Sequence, residues 1–173
     1  AFEELYREVV ESRRRTLGVE DQQTLTAMSN LARLLEDEGK LDEGEAVMRE
    51  VVETGRRVHG ADHPHTLVSI DILASIVRRQ GRLGEAEQLH REALAGSSRV
   101  MGPDHVDTLG VRYNLARLLM QAGRPGEAEQ EFRAVIAVLD REQGSPSHYT
   151  MTTAHFLGDS LYEQAKWAEA DEV

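Results

Sequence analysis

Histidines stand beside carboxylates at three places in this sequence, in patterns that could hold a metal ion. Residues 62–65 are Asp-His-Pro-His, residues 104–105 are Asp-His, and His155 precedes Asp159 by one helical turn. Imidazole nitrogens and carboxylate oxygens are common ligands of zinc and related metals. The first two clusters stand 42 residues apart, which favours a repeated structural turn, and the third pair has no obvious third ligand nearby. We therefore predict neither a metal site nor a cofactor.

Signatures of catalysis are missing from the sequence. There is no cysteine, which excludes disulfide bonds, thiolate metal sites and cysteine nucleophiles. There is also no Walker phosphate loop, no G-x-G-x-x-G nucleotide motif, no G-x-S-x-G nucleophile elbow and no H-E-x-x-H zinc motif. The abundant carboxylates are expected on solvated helix faces. We predict no catalytic residues and a protein that is not an enzyme.

The composition favours a soluble, cytoplasmic protein. The 173 residues include 31 acidic and 20 basic side chains, for a formal net charge of −11, and 40% of the residues are hydrophobic. A negative charge of this size repels phosphate, so we expect no nucleic-acid partner and no membrane partner. The longest apolar run, residues 134–139, is too short to span a bilayer.

An internal repeat of 42 residues organises the chain. When residues 60–101 are compared with residues 102–143 without gaps, 17 of the 42 positions are identical. Three series of residues keep the same spacing: Thr24, Thr66, Thr108 and Thr150; Gly18, Gly60, Gly102 and Gly144; and Gly39, Gly81, Gly123 and then Ala165. A repeat of this length indicates a solenoid or another repeat architecture.

Each repeat has the pattern of two helices joined by a turn. In residues 60–101, Pro64 suits the first position of a helix, and Asp62 or His63 can cap its free amides. Apolar residues then recur at helical spacing until Gly81, which can take the left-handed conformation that ends a helix. Small residues are predicted where the two helices must approach closely: Ala32, Ala74, Ala116 and Gly158.

Stacked hairpins of this kind predict an all-α fold, a right-handed superhelical solenoid. We assign residues 1–17 to the second helix of an incomplete repeat and residues 18–59, 60–101 and 102–143 to three full repeats. Residues 144–173 form a truncated repeat with a turn at Ala165-Lys166-Trp167. No polar capping helix is visible at either end, which predicts a piece of a longer array. A trimmed or frayed natural end is the alternative.

The helical spacing excludes a propeller blade, whereas HEAT-type repeats remain possible on length alone. The pattern L-G-x2-L at residues 157–161, with A-x3-F at residues 128–132, matches the tetratricopeptide repeat without its leading Trp. Residues 102–109, 114–119 and 123–129 closely resemble the long tetratricopeptide repeats of kinesin light chains. Arginine supplies 18 of the 20 basic residues, which favours a GC-rich bacterial source.

The resemblance implies a concave face, lined by the first helix of each hairpin, on which peptides bind. The same positions stay on the solvent side once the apolar stripe is assigned to the core. Ten residues are predicted to bind peptide: Asn30, Arg33, Asp71, Arg78, Arg79, Tyr113, Asn114, Arg117, His155 and Tyr162.

Asn30 and Asn114 resemble the asparagines with which this family holds an extended peptide backbone. An amide suits that task because it both donates and accepts hydrogen bonds. The intervening position is Ile72, and the position in the fourth repeat is Phe156, so the series is interrupted. Tyr113, Phe156 and Tyr162 could form an aromatic pocket or could simply pack.

The arginines among these positions favour an acidic ligand. A guanidinium binds a carboxylate with two parallel hydrogen bonds, so an acidic segment or a free C-terminus would fit. The alternative is that these arginines pair with Asp71, Glu36 and Asp37 on neighbouring helices.

We therefore predict a protein–protein interaction module that binds a peptide segment, acidic by charge, in a concave groove. One alternative is a scaffold that assembles with itself through its convex face or its open ends. Another is a sensor or scaffold module of a larger multidomain protein. The oligomeric state is left open by the sequence.

Overall fold

The computed structural model describes residues 2–143 and 148–171, and within these ranges it consists of helices without any strand. The predicted all-α fold is therefore confirmed. The eight helices of the described segments are α1 (Phe2–Leu17), α2 (Gln22–Asp37), α3 (Leu41–Val58), α4 (Pro64–Arg79), α5 (Leu83–Val100), α6 (Val106–Gln121), α7 (Pro125–Gln143) and α8 (His148–Asp171). None of them combines the length and the apolar character needed to cross a bilayer.

The chain divides into two compact units, residues 1–101 and residues 102–173. In the first unit each helix packs against the next one along the chain, and α2 also touches α4. In the second unit α7 packs against both α6 and α8, and α6 touches α8. Consecutive helices thus bury one another's apolar faces, as the hairpin pattern predicts.

The predicted glycine turns are present. Gly39, Gly81 and Gly123 each follow the first helix of a hairpin and have φ values of 78°, 82° and 71°. Among the described residues, every residue with a positive φ is a glycine. The series at Gly18, Gly60 and Gly102 has the same property, and its fourth member, Gly144, lies outside the described residues.

The turn predicted at Ala165 was wrong. Helix α8 runs without interruption from His148 to Asp171, so the chain does not reverse at residues 165–167. An L-residue with a Cβ pays roughly 1–2 kcal/mol in the left-handed conformation. Alanine is also the strongest helix former. Its presence where the other repeats have glycine therefore lets the helix continue.

Two local predictions also need correction. Pro64 begins α4 as expected, but neither proposed cap acts: His63 makes no capping bond, and Asp62 pairs with Arg99 instead. The ring of His63 lies against that of His59, with 4.8 Å between their centroids, and so it does not turn back to the helix. By contrast, Asp21 caps α2 by accepting from the backbone N–H of Gln23 at 2.8 Å.

The small residues behave as predicted in three repeats out of four. Ala32, Ala74 and Ala116 are completely buried. A Cβ added to Gly44 of α3 would lie 3.1 Å from the carbonyl oxygen of Ala32, which shows how closely α2 and α3 approach. Gly158 breaks the series, because it is exposed and a Cβ there would meet no atom within 4 Å.

A network of ion pairs, which the sequence analysis missed, joins the second helices of successive repeats. Glu45 of α3 accepts hydrogen bonds from Arg82 at 2.8 Å and from Gln80 at 2.8 Å, and it pairs with Arg49 at 2.7 Å. Arg49 then reaches Glu85 of α5 at 2.5 Å. Similar contacts recur 42 residues earlier, among Glu3, Lys40, Arg7 and Glu43.

These contacts favour the ionised form of the carboxylates. The bonds to Lys40 and then Arg7 lower the pKa of Glu3 from its ordinary 4.5 to about 2. Burial opposes ionisation of Glu45, but the bonds from Gln80, Arg82 and Arg49 outweigh it and lower the pKa of that carboxyl. The network therefore stabilises the fold at neutral pH.

Removing the central carboxylate tests the network. We expect Glu45→Gln to lower the melting temperature at neutral pH by about 2–4 °C, the shift that roughly 1 kcal/mol produces in a chain of this size. Because the folded-state pKa of Glu45 lies below 4.5, this contribution is present above that pH and is lost as the pH falls through the folded value. Thermal unfolding at pH 7 and at pH 3 should therefore show the deficit shrinking in acid. Glu8→Gln, at an exposed site on α1, is the control; an equal deficit at both pH values would contradict the assignment.

A pair of glycines three residues apart tests the turn. We expect Gly81→Ala to destabilise the protein by about 1–2 kcal/mol, because its φ is positive. Gly84→Ala lies in α5 with open space around the new methyl group and should instead stabilise the protein by roughly 0.5–1 kcal/mol. Urea unfolding measures both effects, and a Gly81→Ala protein as stable as its parent would disprove the need for a left-handed turn there.

Candidate functional site

The predicted peptide-binding residues lie on the first helices of the hairpins, so each unit carries its own set. In residues 1–101 they lie on α2 and α4, and in residues 102–173 they lie on α6 and α8. The apolar residues of these helices form the core: Met28, Leu35, Ile70 and Ile76 are completely buried. The remaining faces are where a ligand could bind.

A cavity of about 150 Å³ lies between α2 and α4 and extends to the end of α3; we call it the α2–α4 cleft. Asn30 and Arg33 line it, both exposed, as does Ile72 on the α4 side. Its complete lining is Gln22, Leu25, Thr26, Ser29, Asn30, Arg33, Val51, Gly55, His59, His65, Thr66, Val68, Ser69 and Ile72. Among the residues that the structure describes, no Asp or Glu lines this cleft.

Helical periodicity places these side chains together. On α2 the residues Gln22, Thr26, Ser29 and Arg33 follow one another at intervals of three or four, which puts them on a single face. Leu25 lies at the base of this face, and core residues such as Met28 and Leu35 lie on the opposite side of the helix. On α4 the stripe at residues 65, 68, 69 and 72 has the same spacing and faces the cleft. The two stripes meet because α2 and α4 are in direct contact.

Histidines line the end of the cleft near the α3–α4 turn. The ring of His63 lies between those of His59 and His65, with centroid distances of 4.8 Å and 5.5 Å. Burial, and then the two neighbouring imidazoles, lower the pKa of His63. His59 and His65 line the cleft. The sequence predicts a structural turn at residues 62–65, and no pattern in it distinguishes His59.

Two polar atoms of the cleft are buried and have no hydrogen-bond partner within the described part of the chain. They are Nε2 of His59 and Oγ1 of Thr66. An unsatisfied buried polar atom costs about 1–3 kcal/mol, which a ligand supplying a partner would recover. Ser29 and Ser69 differ from them, since each donates to a carbonyl of its own helix, at 2.9 Å and 2.8 Å.

The two predicted arginines of α4, Arg78 and Arg79, interact with Glu36 of α2. Arg79 donates to the backbone carbonyl of Glu36 and lies 3.6 Å from its carboxylate, so the neighbour-pairing alternative describes this arginine. Burial raises the pKa of Glu36, an effect that Arg79 and Arg78 oppose. Arg78 is half-buried.

Asp71 pairs with a buried histidine that the sequence analysis missed. The Oδ1 atom of Asp71 lies 2.8 Å from Nδ1 of His90, a completely buried residue of α5. The equivalent positions are Ser29 and Met48 in the preceding repeat and Tyr113 and Phe132 in the following one. No 42-residue regularity predicts the pair, because it occurs in one repeat alone.

The face of α6 and α8 is aromatic. Arg117 lies over the rings of Tyr113 and Phe156, at 5.8 Å and 5.6 Å from their centroids. Tyr113 and Phe156 also contact each other, edge to face, at 5.8 Å, and the buried Phe132 stacks on Phe156 at 5.9 Å. Burial raises the pKa of Tyr113, opposed by Arg117. Packing therefore occupies these two rings, whereas Tyr162 remains exposed.

The last predicted residues of this unit are Asn114, which is half-buried, and His155, which is exposed. His155 Nε2 lies 3.7 Å from the carboxylate of Asp159. In the residues that the structure describes, no group of three His, Asp or Glu side chains is arranged to hold a metal ion.

Comparisons with known proteins identify the same repeat that the sequence predicts. The family model for the tetratricopeptide repeat matches residues 23–99, 70–141 and 107–173. A Podosopora anserina protein of kinesin light chain type, with nearly identical tetratricopeptide-like repeats, has a TM-score of 0.77 at 25% identity over 98% of this chain and 81% of its own. A single-residue variant of that protein gives a TM-score of 0.79 at 25% identity, over 98% of this chain and 80% of its own.

A third solved structure shares the fold at lower identity. BtubC (BKLC) from P. vanneervenii has a TM-score of 0.79 at 21% identity, over 94% of this chain and 65% of its own. No curated protein matches the sequence. Folds of this type are typically non-catalytic scaffolds that mediate protein–protein interactions. Since the family model accounts for residues 23–173, the chain belongs to the tetratricopeptide repeat family.

Proposed function

We propose that this chain binds an acidic peptide segment on the faces of its first helices, α2 and α4 in one unit and α6 and α8 in the other. The observation that carries the proposal is the α2–α4 cleft, whose described lining contains hydrogen-bond donors and no carboxylate in a chain of net charge −11. A partner with negative charge fits such a cleft better than the rest of this surface.

Several arginines outside the cleft already form ion pairs within the protein, which supports the choice of Arg33 as a ligand contact. On the second helices, Arg7 of α1 pairs with a glutamate of α3, and Arg49 and Arg56 of α3 pair with glutamates of α5, at 2.5–2.6 Å. Arg33 is exposed and lines the α2–α4 cleft, whose described lining contains no Asp or Glu; Glu36 and Asp37 follow it within about one turn of α2, outside that lining. A guanidinium on this face could bind a carboxylate of a partner with two parallel hydrogen bonds.

We keep all ten predicted residues as proposed contacts of the peptide, but the structural support differs from one residue to another. Asn30 and Arg33 have the strongest support, because they line the α2–α4 cleft. Asn114, Arg117, His155 and Tyr162 are the proposed contacts of the second unit. Asp71 and Arg79 would have to share existing bonds with a ligand. The proposal includes a cytoplasmic location and no nucleic-acid partner, in keeping with the net charge.

A second candidate function is self-association through α1. Phe2, Leu5, Tyr6 and Val9 form an apolar stripe on this helix, with exposures from 76% for Phe2 down to 36% for Val9. At the equivalent positions of α3, Met48 and Val51 are buried. An exposed stripe of this kind favours contact with another apolar helix.

Selection from a peptide library on the purified chain tests the proposal, with Arg33→Glu and Arg15→Glu as a matched pair of variants. Both substitutions change the net charge equally, but only Arg33 lines the α2–α4 cleft. We expect the parent and Arg15→Glu to enrich acidic peptides, and Arg33→Glu to bind the same peptides at least about tenfold more weakly, the loss of one charge-assisted contact. Circular dichroism should show that both variants stay helical.

Equal loss of binding in both variants, or enrichment of neutral peptides by all three proteins, would contradict the proposed site. If no peptide is enriched and the mass in solution rises with concentration, the second candidate is favoured. In that case Leu5→Glu should restore a constant mass.

A further inference from the structure

We infer that a pair of side chains at equivalent positions in each hairpin determines which helices pair with each other, and that the bond between Asp71 and His90 keeps the second hairpin from packing out of register with the first. The inference goes beyond the proposed function and does not depend on a ligand. The three pairs are Ser29 with Met48, Asp71 with His90, and Tyr113 with Phe132.

The regularity of the chain makes wrong pairings of its helices possible. Every buried residue of α2 has a buried counterpart 42 residues later in α4, and every buried residue of α5 has one 42 residues earlier in α3. The first two hairpins therefore present cores with the same pattern. Misassembly between similar repeats is a characteristic failure in the folding of such proteins. A feature that differs between the repeats must favour the correct pairing.

The residues that join the two helices of a hairpin differ from repeat to repeat at one pair of positions. In the second hairpin, Asp71 of α4 lies with its Oδ1 atom 2.8 Å from Nδ1 of His90 of α5. Because a carboxylate only accepts hydrogen bonds, Nδ1 is the donor. In the third hairpin, Tyr113 of α6 meets Phe132 of α7 edge to face, with 5.9 Å between the ring centroids. Each of these pairs is matched in its own chemistry.

The first hairpin has a third kind of pair. Ser29 of α2 is small and donates to the carbonyl of Leu25 in its own helix at 2.9 Å, whereas Met48 of α3 is completely buried. No polar group of α3 is needed at this position, since the serine hydroxyl donates within α2. The thioether of Met48 fills the core in its place.

Combinations across the first two hairpins would be unfavourable. If α4 packed on α3, the carboxylate of Asp71 would face Met48, which has no hydrogen to donate. If α2 packed on α5, His90 would face the small Ser29 in place of a carboxylate, and space would be left unfilled. Breaking a buried ionic pair by removing one partner is more unfavourable than replacing both. Specificity of this kind comes from the penalty on the wrong partner.

Stability alone does not account for the bond between Asp71 and His90. His90 is completely buried, and its Nε2 atom has no hydrogen-bond partner among the residues that the structure describes. A buried polar atom without a partner destabilises the fold. Met48 occupies the equivalent position without such an atom. A polar residue in the core of a coiled coil fixes the register of its helices at a similar cost in stability.

Refolding of two variants with identical pairs in both hairpins tests the inference. Asp71→Ser/His90→Met gives the second hairpin the pair of the first, and Ser29→Asp/Met48→His gives the first hairpin the pair of the second. Every helix keeps a matched partner, but the pairs no longer distinguish the hairpins. After refolding from urea, we expect about tenfold more misassembled chain than in the parent, the factor that roughly 1.4 kcal/mol of lost pairing preference produces. Light scattering detects the misassembled mass, and amide hydrogen exchange detects helices left without a partner.

A variant that exchanges the two pairs is the matched control. Ser29→Asp/Met48→His/Asp71→Ser/His90→Met has the composition of the parent, and its two hairpins are again distinct. We expect it to refold as cleanly as the parent.

A single substitution measures the mismatch itself. We expect His90→Met to lower the melting temperature by about 5 °C or more, because the Asp71 carboxylate loses its bond to the histidine. Asp71→Ser/His90→Met should recover that loss, since its pair is matched.

The outcomes decide the inference without reference to a ligand. Misassembly that is confined to the two variants with identical pairs supports it. Clean refolding of both of them would overturn it, and so would their failure to fold at all, since matched pairs would then not be interchangeable. Misassembly of the exchanged variant would show that the local surroundings, and not the match, determine the pairing. Peptide binding enters none of these measurements, so the proposed function can fail or stand separately.

Discussion

Every hairpin in this protein depends on a reversal of the chain through a conformation that L-residues with a Cβ avoid. The reversals after α2, α4 and α6 are made at glycines with φ between 71° and 82°. After each of these reversals, the second helix of the hairpin lies against the first, and the two helices bury their apolar stripes together. The fourth equivalent position is Ala165, where the chain continues as one long helix. The chain therefore reverses where this position is glycine and continues as a helix where it is alanine.

Regularity along the chain determined how much could be predicted. The helices, the glycine turns and the buried alanines repeat every 42 residues, so the sequence alone predicts them and the family resemblance. The errors occur where a repeat departs from the others. His63 does not cap α4 because its ring packs against His59, Gly158 is not at a close contact, and Ala165 does not turn.

The candidate site was predictable in part for the same reason. Asn30 and Arg33 were found from helical spacing and the resemblance, and both line the α2–α4 cleft. The bond between Asp71 and His90 and the contact between Arg79 and Glu36 join residues 19 and 43 positions apart, on different helices. Such contacts depend on side-chain geometry that a pattern of residue types does not contain. His59 and Thr66 were not predicted as site residues, because a buried polar atom without a described partner cannot be recognised from the pattern of residue types.

The ion pairs on the second helices have a consequence for how such chains change in evolution. Their partners stand 36 or 37 residues apart along the chain, and the same charges recur every 42 residues. If unequal recombination removed residues 18–59, Arg7 would meet Glu85 in place of Glu43, and Glu3 would meet Arg82 in place of Lys40. Each new neighbour carries the charge of the one it replaces. Loss of residues 18–59 therefore needs no compensating substitution at these pairs, whereas an insertion of a few residues would shift every later charge out of register with its partner.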